Sequence, residues 1–332
     1  MRRAALKYLA CPRCDADLAL ATPAAPESSD HVMTGDLVCQ AAGCRYPIRD
    51  GVPVLVLSHV DRARRETAER FTLEWTHWRG MADYYERQFL EWIAPVTREE
   101  FKDRVVLEGG CGKGRHSAIV SGFGPTALVS IDLGDSAFVA FENTHRLPNV
   151  HVAIGDVVEP PVKAAFDLAF SVGVLHHLPD PAQGFHSLCA KVKNGGRIVT
   201  WVYGREHNEW IVTFVDPVRK AITARLPSSV LRAISALPSS VLWGLIHTLY
   251  RGPSHLFGRK LPYFDYFASM SGFPYAEIHS IVFDQLVTPV AHYLPEAEVR
   301  RWCSGDVEDV VIRWNREMSW TATATIARPR TG

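Results

Sequence analysis

Val105-Val106-Leu107-Glu108-Gly109-Gly110-Cys111-Gly112-Lys113-Gly114-Arg115 is the stretch on which the fold turns: an apolar strand, a run of glycines, then a helix. Residues without a Cβ allow a ligand to lie directly against such a backbone. Counted from Gly110, a dinucleotide fingerprint needs its third glycine at position 115, which is Arg115. The spacing is instead G-x-G-x-G, with Glu108 just before it. A pyrophosphate seeks N–H groups at a helix N-terminus, whereas a sulfonium nucleoside has no phosphate and carries positive charge. A carboxylate at the strand end suits the second. The turn therefore predicts a cradle of Glu108, Gly110, Cys111, Gly112, Gly114 and Arg115 for a sulfonium cofactor, with Glu108 beside its methionyl end.

Outward from the turn, Ser130-Ile131-Asp132-Leu133 places a carboxylate at the end of the next strand, about twenty residues on, where Asp132 can accept the ribose hydroxyl protons. Gly155-Asp156-Val157 does the same at the strand after that: Asp156 for an adenine amino group, the Val157 N–H for a ring nitrogen. A single Asp after a strand is more often a cap or turn residue. Acids in order at successive strand ends around one glycine turn make a pattern.

The same alternation extends along the chain. Apolar runs at Val105 to Leu107, Leu128 to Ile131, Val150 to Ala153, Phe166 to Ser171 and Arg197 to Tyr203 are separated by amphipathic segments, which predicts right-handed βαβ units and a parallel sheet. Val307 to Trp314 and Trp320 to Ile326, after a helix at Pro295 to Cys303, read as an antiparallel pair that completes seven strands. The fold class is α/β, a doubly wound Rossmann-like sheet. Residues 1–60 form a Cys- and Gly-rich module that includes a polar, Pro-containing loop from Ala21 to Asp30. Residues 61–100 form a helical, aromatic-rich linker that covers the cofactor, and 101–332 the main domain. Within that domain, 205–282 is a helical insertion holding the repeat LPSSVL at Leu226 to Leu231 and Leu237 to Leu242, whose Pro-Ser-Ser pieces read as helix starts.

These motifs, VLEGGCGKGRH, SIDLGDS, IGDVVEPP, FDLAFSVGVLHHLPDP and NGGRIVTWVYG, resemble those of class I S-adenosylmethionine-dependent methyltransferases, closest to the UbiE-like, "methyltransferase 11" group. The resemblance runs from Phe71 to Pro329 and implies cofactor at the carboxyl ends of the strands, with Ser171 flanking its methionine part. Cys11-Pro12-Arg13-Cys14 and Cys39-x4-Cys44, followed by Tyr46 to Pro53, are similar to the small zinc-ribbon activators of methyltransferases. Four thiolates, Cys11, Cys14, Cys39 and Cys44, suit a structural tetrahedral zinc, although the second pair departs from C-x2-C. Cys111, Cys189 and Cys303 read as packing residues as well.

Methyl transfer from a sulfonium is an in-line displacement that asks mainly for positioning and exclusion of water. An oxygen acceptor benefits from a base. Of His176 and His177, after the fourth strand of the sheet, His176 is the choice for the pocket; Asp284 and His292 are further catalytic candidates. Ser171-Val172-Gly173-Val174 stands where base-amino methyltransferases carry Asn/Asp-Pro-Pro-Tyr, which weighs against adenine or cytosine amino methylation.

Lys plus Arg and Asp plus Glu balance at 36 each, so no global field draws nucleic acid. The expected acceptor is a small molecule methylated on oxygen or carbon: a secondary metabolite, quinone, lipid or glycan. RNA base methylation, with the ribbon touching RNA, is the alternative, and a catalytically silent assembly partner the third. Leu231, Ile234, Leu237, Val241, Leu242, Leu245, Ile246 and Leu249 recur at helical spacing, reading as a lid, as the face of a homodimer, or as contact with a lipophilic acceptor or membrane surface. No signal peptide or spanning apolar run is read, Arg232 and Pro238 breaking the best stretch, so the chain is expected in the cytoplasm.

Overall fold

The computed structural model describes residues 1–21, 31–251 and 260–328. Most of the loop expected from Ala21 to Asp30, and positions 252–259 of the insertion, lie outside the described residues. One sheet organises the rest, in the order β1-β2-β3-β4-β7-β6-β5-β8-β9-β11-β10. Its centre is the parallel set β5 (Val105–Gly109), β6 (Ala127–Asp132), β7 (Val150–Gly155), β8 (Phe166–Val172) and β9 (Val192–Tyr203). The hairpin β10 (Val307–Asn315) and β11 (Ser319–Ile326) joins antiparallel to β9. That is the seven-stranded sheet read from the motifs. β6 and β7 are buried along almost their whole length, as strands covered on both faces must be, and β10 alternates between exposed and half-buried residues, as an edge does.

The N-terminal module contributes β1 (Leu18–Leu20), β2 (Gly35–Cys39), β3 (Arg45–Arg49) and β4 (Val52–Leu55), an antiparallel series. β4 then pairs in parallel with β7, Val54 opposite Ile154 and Leu55 opposite Gly155. The module thus continues the main sheet, and Leu9, Cys11 and Leu37 share one apolar cluster with Val129, Phe166 and Ile198.

The helices are α1 (Arg62–His77), α2 (Tyr84–Ile93), α3 (Arg115–Ser121), α4 (Ser136–Thr144), α5 (Pro181–Lys191), α6 (Asp216–Ala221), α7 (Ser228–Leu245), α8 (Phe264–Ser269), α9 (Tyr275–Val287) and α10 (Glu296–Trp302). α1 starts on Asp61, whose carboxylate accepts from the N–H groups of Ala63 and Arg64. Pro227 stands ahead of α7, as the repeat predicts. Pro238, in the second copy, does not start a helix: α7 runs through it. Next to it the hydroxyls of Ser239 and Ser240 donate to the carbonyls of Ser235 and Ala236. Ser228–Tyr250 is 23 residues long and holds an 18-residue window of mean hydropathy 1.4, so by length and composition it could cross a bilayer, contrary to the expectation that Arg232 and Pro238 break it.

Candidate active site

The glycine turn closes over the carboxyl end of β5 because three of its residues adopt left-handed backbone: Gly110 at φ +82°, Gly112 at +53° and Gly114 at +81°. A Cβ on Gly110 would lie 2.3 Å from a Val174 methyl, and one on Gly114 3.0 Å from the Ala140 backbone. The turn is pinned to the neighbouring strand, since the N–H groups of Gly110 and Cys111 both donate to Ile131 O and that of Gly112 to Asp132 Oδ2 at 2.8 Å. In front of it opens a cleft of about 1390 Å³, part of it open solvent.

Gly110, Cys111, Gly112, Arg115, Asp132, Leu133, Asp156 and Val157 line this cleft. Asp132 Oδ1 also accepts from the Gly134 N–H and the Ser136 hydroxyl; burial raises its carboxyl above the usual range against these bonds. Asp156 accepts from the Val158 N–H and is ion-paired with Arg64 of α1. Glu108, Gly114 and Ser171 stand behind the lining. Glu108 is 1% exposed and points inward, accepting from the hydroxyls of Ser130 (2.7 Å) and Ser117, and burial pushes its carboxyl up to about 7. The Ser171 hydroxyl donates to Gly109 O, tying β8 to the turn.

Of the adjacent histidines it is His177, not His176, that lines the cleft. The short 3₁₀ turn Leu175–His177 rotates His176 into the interior, where its ring lies 4.0 Å from that of Tyr203 and both nitrogens lack a partner. Burial holds both imidazoles below their ordinary range, His177 at about 3, so both are neutral at pH 7. His292 also sits away from the cleft, its backbone N–H donating to His176 O. Asp284 of α9 lines it: Oδ2 accepts from the Tyr203 hydroxyl at 3.0 Å, and Oδ1 is buried without a partner.

Several lining residues were not singled out as candidates in the sequence. α1 lies across the opening and contributes Arg64, Thr67, Phe71, Glu74 and Trp75. Glu74 is 1% exposed; the Ser280 hydroxyl donates to one carboxylate oxygen at 2.8 Å and the other has no partner. Burial, then the neighbouring charge of Asp284, drives its carboxyl well above the usual range. Burial also pushes Asp284 up to about 6. Trp92 stacks on Trp201 at 4.4 Å between ring centroids, and Trp201 Nε1 is a buried donor without an acceptor. The Arg115 guanidinium lies over Tyr85, Trp75 and Trp92 at 5.2, 5.6 and 5.9 Å. Lys113 donates to Trp78 O and Tyr85 Oη, and burial lowers it to about 8. The one trace of this wall in the sequence is the aromatic density of the linker.

In the N-terminal module the sulfurs of Cys11, Cys14 and Cys39 lie within 4.8 Å of one another. The Ala42 N–H donates to Cys39 Sγ, and with that bond first among the causes the thiol falls to about 7. The Tyr46 hydroxyl is 3.1 Å from Cys11 Sγ. Cys44 stands just outside the trio, its Sγ near Ala42 O and the Arg13 side chain. The soft donors and the N–H bond fit a zinc site. All seven cysteines are free thiols.

A methyltransferase domain matches residues 107–200, and a Trm112p-like protein matches residues 3–51. Curated relatives named tRNA U34 carboxymethyltransferase include that of Tolumonas auensis, 34% identical over 37% of this chain and 37% of its own length. That of Shewanella pealeana is 30% identical over 42% of this chain and 47% of its own length. The chain spans less than half the length of these relatives. A solved S-adenosylmethionine-dependent methyltransferase structure from Listeria monocytogenes overlaps 36% of this chain and 52% of its own at 20% identity and a TM-score of 0.32. The chain therefore carries a methyltransferase domain behind a Trm112p-like module, and such a domain implies S-adenosylmethionine. The names of the relatives overturn the expectation of a small-molecule acceptor, and with it the argument that balanced charge weighs against nucleic acid. Net charge is a sum over the whole surface and does not report what one cleft admits.

Proposed function

We propose that this chain alkylates a base of RNA, using a sulfonium nucleoside bound between the glycine turn, Asp132 and Asp156. The tRNA-modifying relatives carry this reading, and the far half of the cleft supports it. A base turned out of its stack is held by aromatic faces and by hydrogen bonds to its edge. Phe71, Trp75, Trp92, Trp201 and Tyr203 supply the faces. Thr67 Oγ1, Glu74 Oε2, Trp201 Nε1 and Asp284 Oδ1 supply buried polar atoms that have no protein partner. Buried polar groups are rarely left so, and four along one cleft mark where a ligand belongs.

The sulfonium, when bound, supplies an electrophilic carbon and leaves as a neutral thioether. Asp132 and Asp156 hold the nucleoside. Trp75 and Trp92 keep the acceptor edge dry. The carboxylate of Asp284 accepts the proton that the attacking O–H or N–H group releases, and Glu74, whose carboxyl burial drives well above the usual range, stands beside it as a hydrogen-bonding group. In the module, Cys11, Cys14 and Cys39, with Cys44 as fourth ligand, would hold a zinc whose part is structural.

Incubation with methyl-tritiated S-adenosylmethionine and total tRNA tests the reading. Label is expected in tRNA, and Asp132→Ala is expected to lose ~10- to 100-fold in donor affinity through a missing charged hydrogen bond. Donor binding by the wild type without label in any RNA would refute the RNA acceptor while leaving the cofactor site standing.

A further inference from the structure

α7 is built inside out. Its fully buried residues are Leu231, Ser235 and Ser239, whereas Val230, Ile234, Leu237, Val241 and Leu245 are exposed, Leu237 at 73%. Steps of four, three, four and four residues put these five on one side of the helix. Ahead of it Phe214 (69% exposed), Val218 and Ile222 repeat the pattern at every fourth position. Exposed apolar side chains lined up in this way mark a binding surface.

Its charge is equally one-sided. From Pro217 to Phe264 there are seven Arg or Lys and no Asp or Glu, in a chain that balances at 36 and 36. Arg219 and Lys220 are tied back to Asp216, and Arg225, Arg251 and Lys260 are exposed. We infer that this face docks on an anionic lipid bilayer, with α7 lying in the plane of the interface. Apolar side chains flanked by unopposed cations are what a layer of acyl chains under anionic headgroups recognises. A second copy of the chain fits less well, because self-pairing sets Arg225, Arg232 and Arg251 against their own counterparts with no carboxylate in the segment. RNA would engage the cations and leave Phe214 and Leu237 in water. Spanning is opposed by the inner face of α7, which is fastened to α9: Ser235 Oγ lies 2.9 Å from His279 Nε2, and the Tyr275 hydroxyl donates to Ala236 O. α9 also carries Asp284, so the docking face backs the far wall of the cleft.

Flotation of the full chain with phosphatidylcholine vesicles, with and without added phosphatidylglycerol, tests this. Wild type should float with the anionic vesicles, less so as salt is raised. Leu237→Glu with Val241→Glu should lower that binding by ~tenfold or more at unchanged melting temperature, since both positions face solvent. Arg225→Glu with Lys260→Glu should lose ~tenfold on anionic vesicles and nothing on neutral ones. No flotation would overturn the inference. A dimer dissolved by Leu237→Glu would then assign the face to a second copy, and tRNA retention lost in Arg225→Glu with Lys260→Glu would assign it to RNA.

Discussion

Glu74 and Asp284 bring an ionisable pair to the acceptor end of the cleft from two elements far apart in sequence, α1 and α9. Both carboxyls are raised, first by burial, and Asp284 further raises Glu74. A base must be unprotonated to act. With Asp284 lifted to about 6, the transfer rate should climb as pH rises through about 6 and level off above it. Asp284→Asn should flatten that limb and lower the rate constant ~10²-fold or more, with donor affinity unchanged because the adenosine acids are untouched. A pH–rate profile of both proteins decides it; an unaltered limb would remove Asp284 from proton transfer. Glu74 was hidden in the sequence because a glutamate in a helix rich in Arg and Glu reads as solvated. Only folding shows that it faces inward between Phe71 and Trp75. His176 was misplaced for a related reason: two neighbouring histidines differ by one step of a 3₁₀ turn, and spacing does not say which step points out.

At the scale of elements, the glycine spacing of the β5 turn was legible, whereas Glu108, expected beside the cofactor, points inward behind the lining. A glycine at a left-handed position against a neighbouring backbone or methyl leaves a strict spacing in the chain. Gly110→Ala tests that logic: φ +82° and a Cβ 2.3 Å from Val174 should destabilise the fold by ~2–4 kcal/mol. Urea unfolding measures it, and a change under ~0.5 kcal/mol would mean that Val174 gives way freely. Helix continuity was less legible. Pro238 reads as a start because proline is common there, yet α7 runs on through it.

Across the whole molecule, the seven strands of the main domain were readable because each is an apolar run with its own turn chemistry. The attachment of the module was not, since a four-residue apolar strand carries no mark of its partner. That attachment sets how the protein should melt. With β4 bonded to β7 and a shared apolar cluster, chelation of a zinc held by Cys11, Cys14 and Cys39 should lower one cooperative transition. Calorimetry with and without chelator checks this, and a separate early transition would show that the module unfolds alone.

The register of β4 on β7 has a further consequence for solubility. Without the module, β7 would end the sheet as a six-residue apolar strand with its hydrogen-bonding groups bare, the template on which chains stack edge to edge. With it in place the terminal strand on that side is β1, three residues long and too short to seed such stacking. The module thus acts as an end-stop, covering the carboxyl end of β7 at Ile154 and Gly155 and passing that margin to a stub.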